Sequence, residues 1–402
     1  MEFSNNRLEA RVADLFGYSN AVLFGRARSG VVALLGVLGL GPEAPFVMPS
    51  NLCSSLLLAV RSSGAKVELA GVSELNGLPS DMTLVGSMKQ CAVPGVVMPT
   101  HLYGFVQPYE QTLSYAKAHN WFVLENDTIA TRARFGGASR SAFGDALLVS
   151  FGYAKTIEAG GGGALLTDDV GLARELRLRA HSFPPLDELS QRAETEFMLF
   201  ERQLRNTPIQ KNGLSMQDRE KILYERVPKC QFSFPEDLLE PLASAIATLP
   251  DKLDAKRSQA AMWDRFLMPF DDFLLLPKVV CEVPWRLIRR VPSIRDKVVA
   301  TLRNSGFDAG TNFPPLTISF PSLFSDYRYE GAEQWGSEVL NLWISPDYDE
   351  KKMLLLAEVI EDLLASTNSH TMIQSGQNDI TRPSERVESN LSFTNASSDL
   401  GD

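Results

Sequence analysis

The sequence predicts an α/β protein built on a mostly parallel sheet flanked by helices, with a smaller C-terminal α+β domain. Two observations predict this. Short continuous apolar runs alternate with amphipathic helical stretches from about residue 8 to residue 170, the pattern of strands buried on both faces by crossover helices. A second alternation begins after a long helical stretch at 236–268, in a chain of 402 residues that is long enough for two cores.

The elements follow in order. Residues 29–38 read as a helix, FVMP (46–49) as a buried strand, 53–62 as a helix and AKVELA (65–70) as a strand. VPGVVMP (93–99), WFVLEN (121–126), ALLVSF (146–151) and GGALLT (162–167) read as further strands, with a helix at 106–119. Residues 171–230 are helical and highly charged, with a break at 206–214. Within the second alternation, PWRLIRRVP and NLWISP read as strands, and 293–306 and 349–365 as helices. The expected division is a large domain at 8–235, carrying a helical insertion at about 185–228, then a linking helix and small domain at 236–365. The Ser-, Asn- and Thr-rich remainder, 366–402, is expected to be disordered.

Composition excludes several classes. The formal net charge of −10 argues against sequence-independent nucleic-acid binding, which needs clustered cations. The most apolar stretch, VVALLGVLGL (31–40), is too short for a membrane span, and MEFSNNRLEARVADLF has no apolar signal core. Cys53, Cys91, Cys230 and Cys281 show neither a CxxC pair nor metal spacing. Reduced thiols in a cytoplasmic protein without a metal are the expectation.

Ligands of such sheets bind outside the strands' carboxyl ends. In GDALLVSFGYAKTIEAGGGGALLTDD (144–169), Lys155 lies just past a strand and before four glycines. Lysine forms Schiff bases with carbonyl cofactors, most readily where a dry site or a neighbouring cation destabilises its ammonium. Asp127 closes the strand WFVLEND; a cofactor with a pyridine ring needs a carboxylate at its nitrogen, although helix caps and turns use such residues as well. PTHLYGF (99–105) supplies His101 and Tyr103 at another strand end, and RARSGVVAL (26–34) places Ser29 and Gly30 at the start of a helix, where free amides bind phosphate.

Together these motifs resemble the DegT/DnrJ/EryC1/StrS family of sugar aminotransferases, fold-type-I enzymes that use pyridoxal 5′-phosphate. PTHLYG (99–104) is similar to the family's P-x-HLYG strand end, and Gly144-Asp145 followed by SFGYAK (150–155) to its GD and S-F-x-x-x-K run. FPPLTISF (313–320) and LNLWISPDYDEKKMLLLAEVIEDLL (340–364) resemble its small-domain segments. The resemblance implies that Lys155 holds the cofactor and shuttles the proton. It also implies that Ser150, with the amides near Ser29, Gly30 and Val31, binds the phosphate, and that His101 and Tyr103 line the site. It implies a cytoplasmic homodimer with shared active sites, in which Gln231 reaches the neighbouring subunit's cofactor. The implied reaction moves an amino group from glutamate or glutamine to a nucleotide-linked ketosugar.

Departures from the family pattern leave alternatives open. Where the family reads E-D-A-A-Q, this chain has ENDTIA (125–130). A gapless count from Lys155 places Asn126 at the pyridine nitrogen, whereas chemistry prefers Asp127, because asparagine cannot keep a pyridinium. The family glutamine falls on Ile129 or Ala130, and Cys53, in PSNLC, stands where an aromatic residue would stack on the ring. Two alternatives follow: an enzyme of the same fold acting on a non-sugar substrate, such as a cyclitol ketone or a biosynthetic amino acid, or a non-catalytic homologue. The family's sugar 3-dehydratases replace the lysine with histidine, which this chain does not.

Overall fold

The computed structural model describes residues 5–40, 42–129, 144–206, 215–226, 231–277, 284–324, 329–344 and 348–378. Its first part runs α1 (Asn5–Phe16), β1 (Asn20–Phe24), α2 (Ala27–Leu38), β2 (Pro45–Pro49), α3 (Ser54–Ser62), β3 (Lys66–Ala70), α4 (Asp81–Gln90), β4 (Val96–Val97), α5 (Glu110–Ala118), β5 (Phe122–Asn126), β6 (Ala146–Ser150) and β7 (Gly163–Thr167). These seven strands form one sheet in the order β1-β7-β6-β5-β4-β2-β3. The pairs β3–β2, β2–β4, β4–β5 and β5–β6 are parallel, while β7 runs antiparallel to both of its neighbours.

Strand alternation explains why both faces are apolar. Along β6, Leu148 joins the core that contains Phe46, Leu57 and Leu165, whereas Leu147 and Val149 join a second core with Leu8, Phe16 and Leu253 on the opposite face. Successive side chains point to opposite faces, so a strand covered on both sides must be apolar throughout. Because β7 is the only reversed strand of the sheet, β1, β2, β5 and β6 all end at one edge, and α2 and α3 begin there.

The chain continues through α6 (Val170–Ser182), α7 (Glu188–Asn206) and α8 (Met216–Arg226), then α9 (Leu239–Ala247) and α10 (Leu249–Leu267). The long helix expected at 236–268 is therefore two helices. They meet at Thr248, because Pro250 has no amide to donate within a continuous helix but suits a first turn. Next come β8 (Leu287–Arg290), α11 (Arg295–Asn304), β9 (Ala309–Gly310), α12 (Leu316–Ser319), α13 (Glu330–Glu338), β10 (Val339–Leu342) and α14 (Glu350–Asn378). Strands β8, β10 and β9 form a second, antiparallel sheet. Their apolar side chains share a core with α10, α11 and α14, through residues such as Trp263, Leu302, Leu340 and Met353.

Six elements have no counterpart in the sequence expectation: α1, β1, α4, β9, α12 and α13. α14 runs to Asn378, past residue 366 where disorder is expected. Residues 366–378 contain no proline, and extending a formed helix needs no new nucleus. The rest of that expected tail, 379–402, lies outside the described residues, as do Ala130, Cys230 and Cys281. Among the described residues no helix is long and apolar enough to cross a membrane.

Candidate active site

At the carboxyl edge of the large sheet lies a cavity of about 580 Å³. Its position follows from the topology, since ligand crevices form outside the ends of parallel strands. Lys155 lines it, on the loop that follows β6. That loop is shaped by Ala154 at φ 62 and by an amide bond from Lys155 to the Gly152 carbonyl. The lysine amine has no hydrogen-bond partner among the described residues. Burial holds its pKa below the ordinary lysine value and the Arg286 guanidinium adds to this, against an opposing pull from Cys53. A buried, unpaired amine of lowered basicity is the form that attacks a carbonyl.

Beside it, Ser150 ends β6 and Cys53 caps α3, and both face the cavity. The Cys53 Sγ lies 3.0 Å from the Ser55 Oγ. The glycine run has a steric cause here. A Cβ on Gly163 would lie 2.5 Å from the Ala27 backbone nitrogen, and Gly162 holds φ 85. Glycines thus let the start of β7 press against the start of α2.

That helix begins earlier than the sequence suggests. α2 starts at Ala27, and the cavity is lined by Arg26, Ala27 and Arg28. Ser29, Gly30 and Val31, expected at the phosphate, lie within the helix and are not part of the lining. Ser29 is fully buried, its amide donates to the Arg26 carbonyl, and its Oγ accepts from the Phe232 amide. The shift has a simple origin: the Ser-Gly pair looks like a cap, but Arg26 already holds extended backbone (φ −146, ψ 151) and takes the capping position.

This end of the cavity attracts an anion. The Glu194 carboxylate, delivered by α7 from the expected insertion, pairs with the Arg26 Nε at 2.6 Å and with the Arg28 guanidinium. Glu194 is only 4% exposed and itself lines the cavity.

The opposite wall is formed by the end of β5. Asn126, the last residue of β5, lines the cavity together with Thr128 and Ile129, whereas Asp127 does not. Side chains alternate along the strand, so Glu125 points away from the cavity and meets the His101 Nε2 at 2.7 Å, both groups being buried. Asp127 is buried as well, and its amide donates to the Leu148 carbonyl. The Asn126 Oδ1 accepts from the Thr128 amide at 3.2 Å. Only an oxygen can accept there, which leaves the Asn126 NH₂ to face the cavity.

His101 and Tyr103 do not line the cavity either; Leu102, between them, does. The His101 Nδ1 accepts from the Gln107 amide, so its Nε2 carries the proton that bonds Glu125. Tyr103 is fully buried, which pushes its pKa up to about 12, and its hydroxyl accepts from the Phe313 amide and the Trp335 Nε1. Flanking Leu102 in a tight turn, these two side chains point into the protein. Gln231 is exposed and does not line this chain's cavity.

Among the cavity residues that escaped the sequence reading are Trp285, Arg286, Tyr153 and Glu194. The Trp285 Nε1 donates to the Ala154 carbonyl at 2.6 Å, tying the second sheet to the lysine loop. A Trp-Arg pair opening a strand was the available signal, but strand periodicity alone does not say which face meets a cavity. Of the four cysteines, Cys53 and Cys91 are free thiols. Among the described residues no cluster of three or more potential metal ligands occurs.

Residues 3–206 match the model of the DegT/DnrJ/EryC1/StrS aminotransferase family. The GDP-perosamine synthase of Caulobacter vibrioides is 27% identical over 173 residues, which are 42% of this chain and 45% of that protein. The UDP-N-acetyl-3-dehydro-α-D-glucosamine 3-aminotransferase of Acidithiobacillus ferrooxidans is 30% identical over 178 residues, 43% of this chain and 47% of that protein. The chain thus matches about half the length of these curated relatives. The solved structure of the aminotransferase TlmJ from Streptoalloteichus hindustanus matches with a TM-score of 0.70 at 18% identity, covering 90% of this chain and 91% of that one. At that identity the likeness shows the fold.

Proposed function

Because the chain belongs to the DegT/DnrJ/EryC1/StrS aminotransferase family, whose cofactor is pyridoxal 5′-phosphate, we propose that it transfers an amino group from glutamate or glutamine to a nucleotide-linked ketosugar. The observation that carries this is Lys155: a half-buried lysine of lowered basicity, with no hydrogen-bond partner for its amine among the described residues, in a cavity at the carboxyl edge of the sheet. The names of the two curated relatives, both of sugar enzymes, support the acceptor class. Division into the two domains expected from sequence, a homodimer with Gln231 turned to its neighbour, and a cytoplasmic location belong to the same proposal.

The residues present fit the cofactor. Lys155 supplies the amine for its aldehyde. The start of α2, with Arg26 and Arg28, suits its phosphate, since an anionic carboxylate already sits there. Ser150 adds a hydroxyl at the same edge. Cys53 is placed to cover the ring, and Asn126 to meet its nitrogen. When bound, the cofactor supplies an electron-withdrawing ring that lets a proton leave the carbon bearing the amino group. With the cofactor bound, Lys155 would be the base that takes this proton and returns it to the carbon on the far side of the nitrogen. The apolar wall of Leu102, Ile129 and Phe197 keeps water from competing.

The test is a screen of nucleotide-linked ketosugars with glutamate, following amino-sugar formation by mass. An amino sugar is the expected product. Absence of any absorbance band from lysine-bound cofactor, even after adding pyridoxal phosphate, would overturn the proposal.

Glu194 provides a further expected outcome. Its carboxylate competes for the cations that would hold the phosphate, so Glu194→Gln is expected to tighten cofactor binding by about tenfold. That factor is the worth of one charge-assisted hydrogen bond. Titration of the absorbance band measures it, and weaker binding would mean that Glu194 positions the two arginines for the phosphate instead.

A further inference from the structure

Arg286 is the cavity residue that the proposed cofactor chemistry leaves without a task. It precedes β8 on the second sheet, and its guanidinium lies between two indoles, 4.6 Å from the Trp285 ring centre and 4.5 Å from that of Trp343. Trp285 stacks in turn on Phe313, and Trp343 on Tyr153. With its carbon over both indoles, the guanidinium has its N–H edge to offer a ligand. On that edge the Nε is buried with no hydrogen-bond partner. No carboxylate among the described residues pairs with Arg286. Gly310 keeps space open, since a Cβ there would lie 3.3 Å from the Arg286 Nη1.

A buried donor of this kind is costly unless a ligand completes it. The surroundings favour an anion. Burial lowers the basicity of Arg286, with the exposed Asp308 opposing this. Lys256, whose Nζ donates to the Trp285 carbonyl, is held down to about 8 by burial and by the neighbouring cations Lys252 and Arg286, against Glu158. Lys155 is a second amine that Arg286 disfavours as ammonium. Among the described residues neither Arg286 nor Lys256 makes a direct ion pair, and the flat edge of the guanidinium suits the two oxygens of a carboxylate.

We propose that Arg286 is the binding site for the α-carboxylate of the amino donor. The inference rests on the aminotransferase reading for the identity of that ligand. Position separates a carboxylate from the other available oxyanion, a nucleotide diphosphate. Trp285, on which the guanidinium stacks, is bonded to the residue before Lys155. The α-carboxylate is attached to the reacting carbon, whereas a diphosphate lies a sugar ring away from it. Arg286 is close to the lysine and so serves the former.

Calorimetric titration of the full chain with glutarate, an unreactive dicarboxylate, and separately with UDP tests this without requiring turnover. Wild type is expected to bind glutarate. Arg286→Gln should weaken that binding about 30-fold or more, the scale of losing one partner of a buried charge pair. Arg286→Lys should be weakened as well, because an ammonium lacks the planar fork. Both variants should bind UDP as wild type does and keep its melting temperature to within a few degrees. Absence of glutarate binding in wild type, unchanged affinity in Arg286→Gln, or a loss of UDP binding in its place would each overturn the assignment. Failure of the aminotransferase reading shows separately, as absence of the Lys155-dependent absorbance band.

Discussion

Lys155→Ala is expected to abolish the absorbance band of bound cofactor and to cut amino-sugar formation by about 10²–10⁴-fold or more, the range spanned by one positioned acid–base group. The full loss should be at the upper end, because the same amine both anchors the cofactor and moves the proton. The fold should survive. Lys155 makes no hydrogen bond among the described residues, and burial lowers its pKa, with Arg286 adding to the effect. The sign of the pH dependence follows. Between its folded pKa and the ordinary value of 10.5, the unfolded chain binds the proton more readily than the folded chain. Lys155 therefore makes stability rise with pH across that window and disfavours the folded state below it. Lys155→Ala should melt no lower than wild type near neutral pH, and a clear fall in melting temperature would show that the amine has a structural partner. Band formation in wild type should likewise titrate below 10.5, since only the neutral amine attacks a carbonyl.

Lys155 could be read in the sequence because its signal is local. A lysine a fixed distance past a buried strand, followed by glycines, is placed by chain connectivity alone, and the same holds for Ser150 and Cys53. Other parts of the cavity depend on which way a side chain turns. His101 and Tyr103 occupy a strand end as expected, yet Glu125 draws the first inward and Trp335 with Phe313 the second. The start of α2 was misplaced by a Ser-Gly pair that resembles a cap, although Arg26 adopts the capping backbone three residues earlier. Arg286 and Glu194 come from the second sheet and from α7. They reach the cavity only through tertiary packing, for which a single chain's periodicity carries no signal.

Asn126 has the sharpest consequence for chemistry, and Asn126→Asp is its test. The preference for Asp127 came from what a pyridine cofactor needs, but alternation along β5 sets the side chain that is delivered, and that is Asn126. With its Oδ1 held by the Thr128 amide, Asn126 presents an N–H. An N–H can bond only an unprotonated ring nitrogen, whereas a carboxylate would hold that nitrogen protonated and strengthen its pull on electrons. A cofactor held at its ring nitrogen by Asn126 would therefore be a weaker electron sink than one held by a carboxylate. Asn126→Asp is expected to shift the absorbance spectrum of the bound cofactor and to speed amino transfer from glutamate by about tenfold or more. Each pKa unit that the new carboxylate adds at the ring nitrogen is worth roughly 1.4 kcal/mol. The size of the gain depends on how much of the barrier is proton removal, so a spectral change without a rate change would place the slow step elsewhere. An unchanged spectrum would mean that Asn126 does not face the ring. Ile129 beside it has no side-chain group to hydrogen-bond the ring's phenolic oxygen, so the variant would change the polar contact at the ring nitrogen without adding one there.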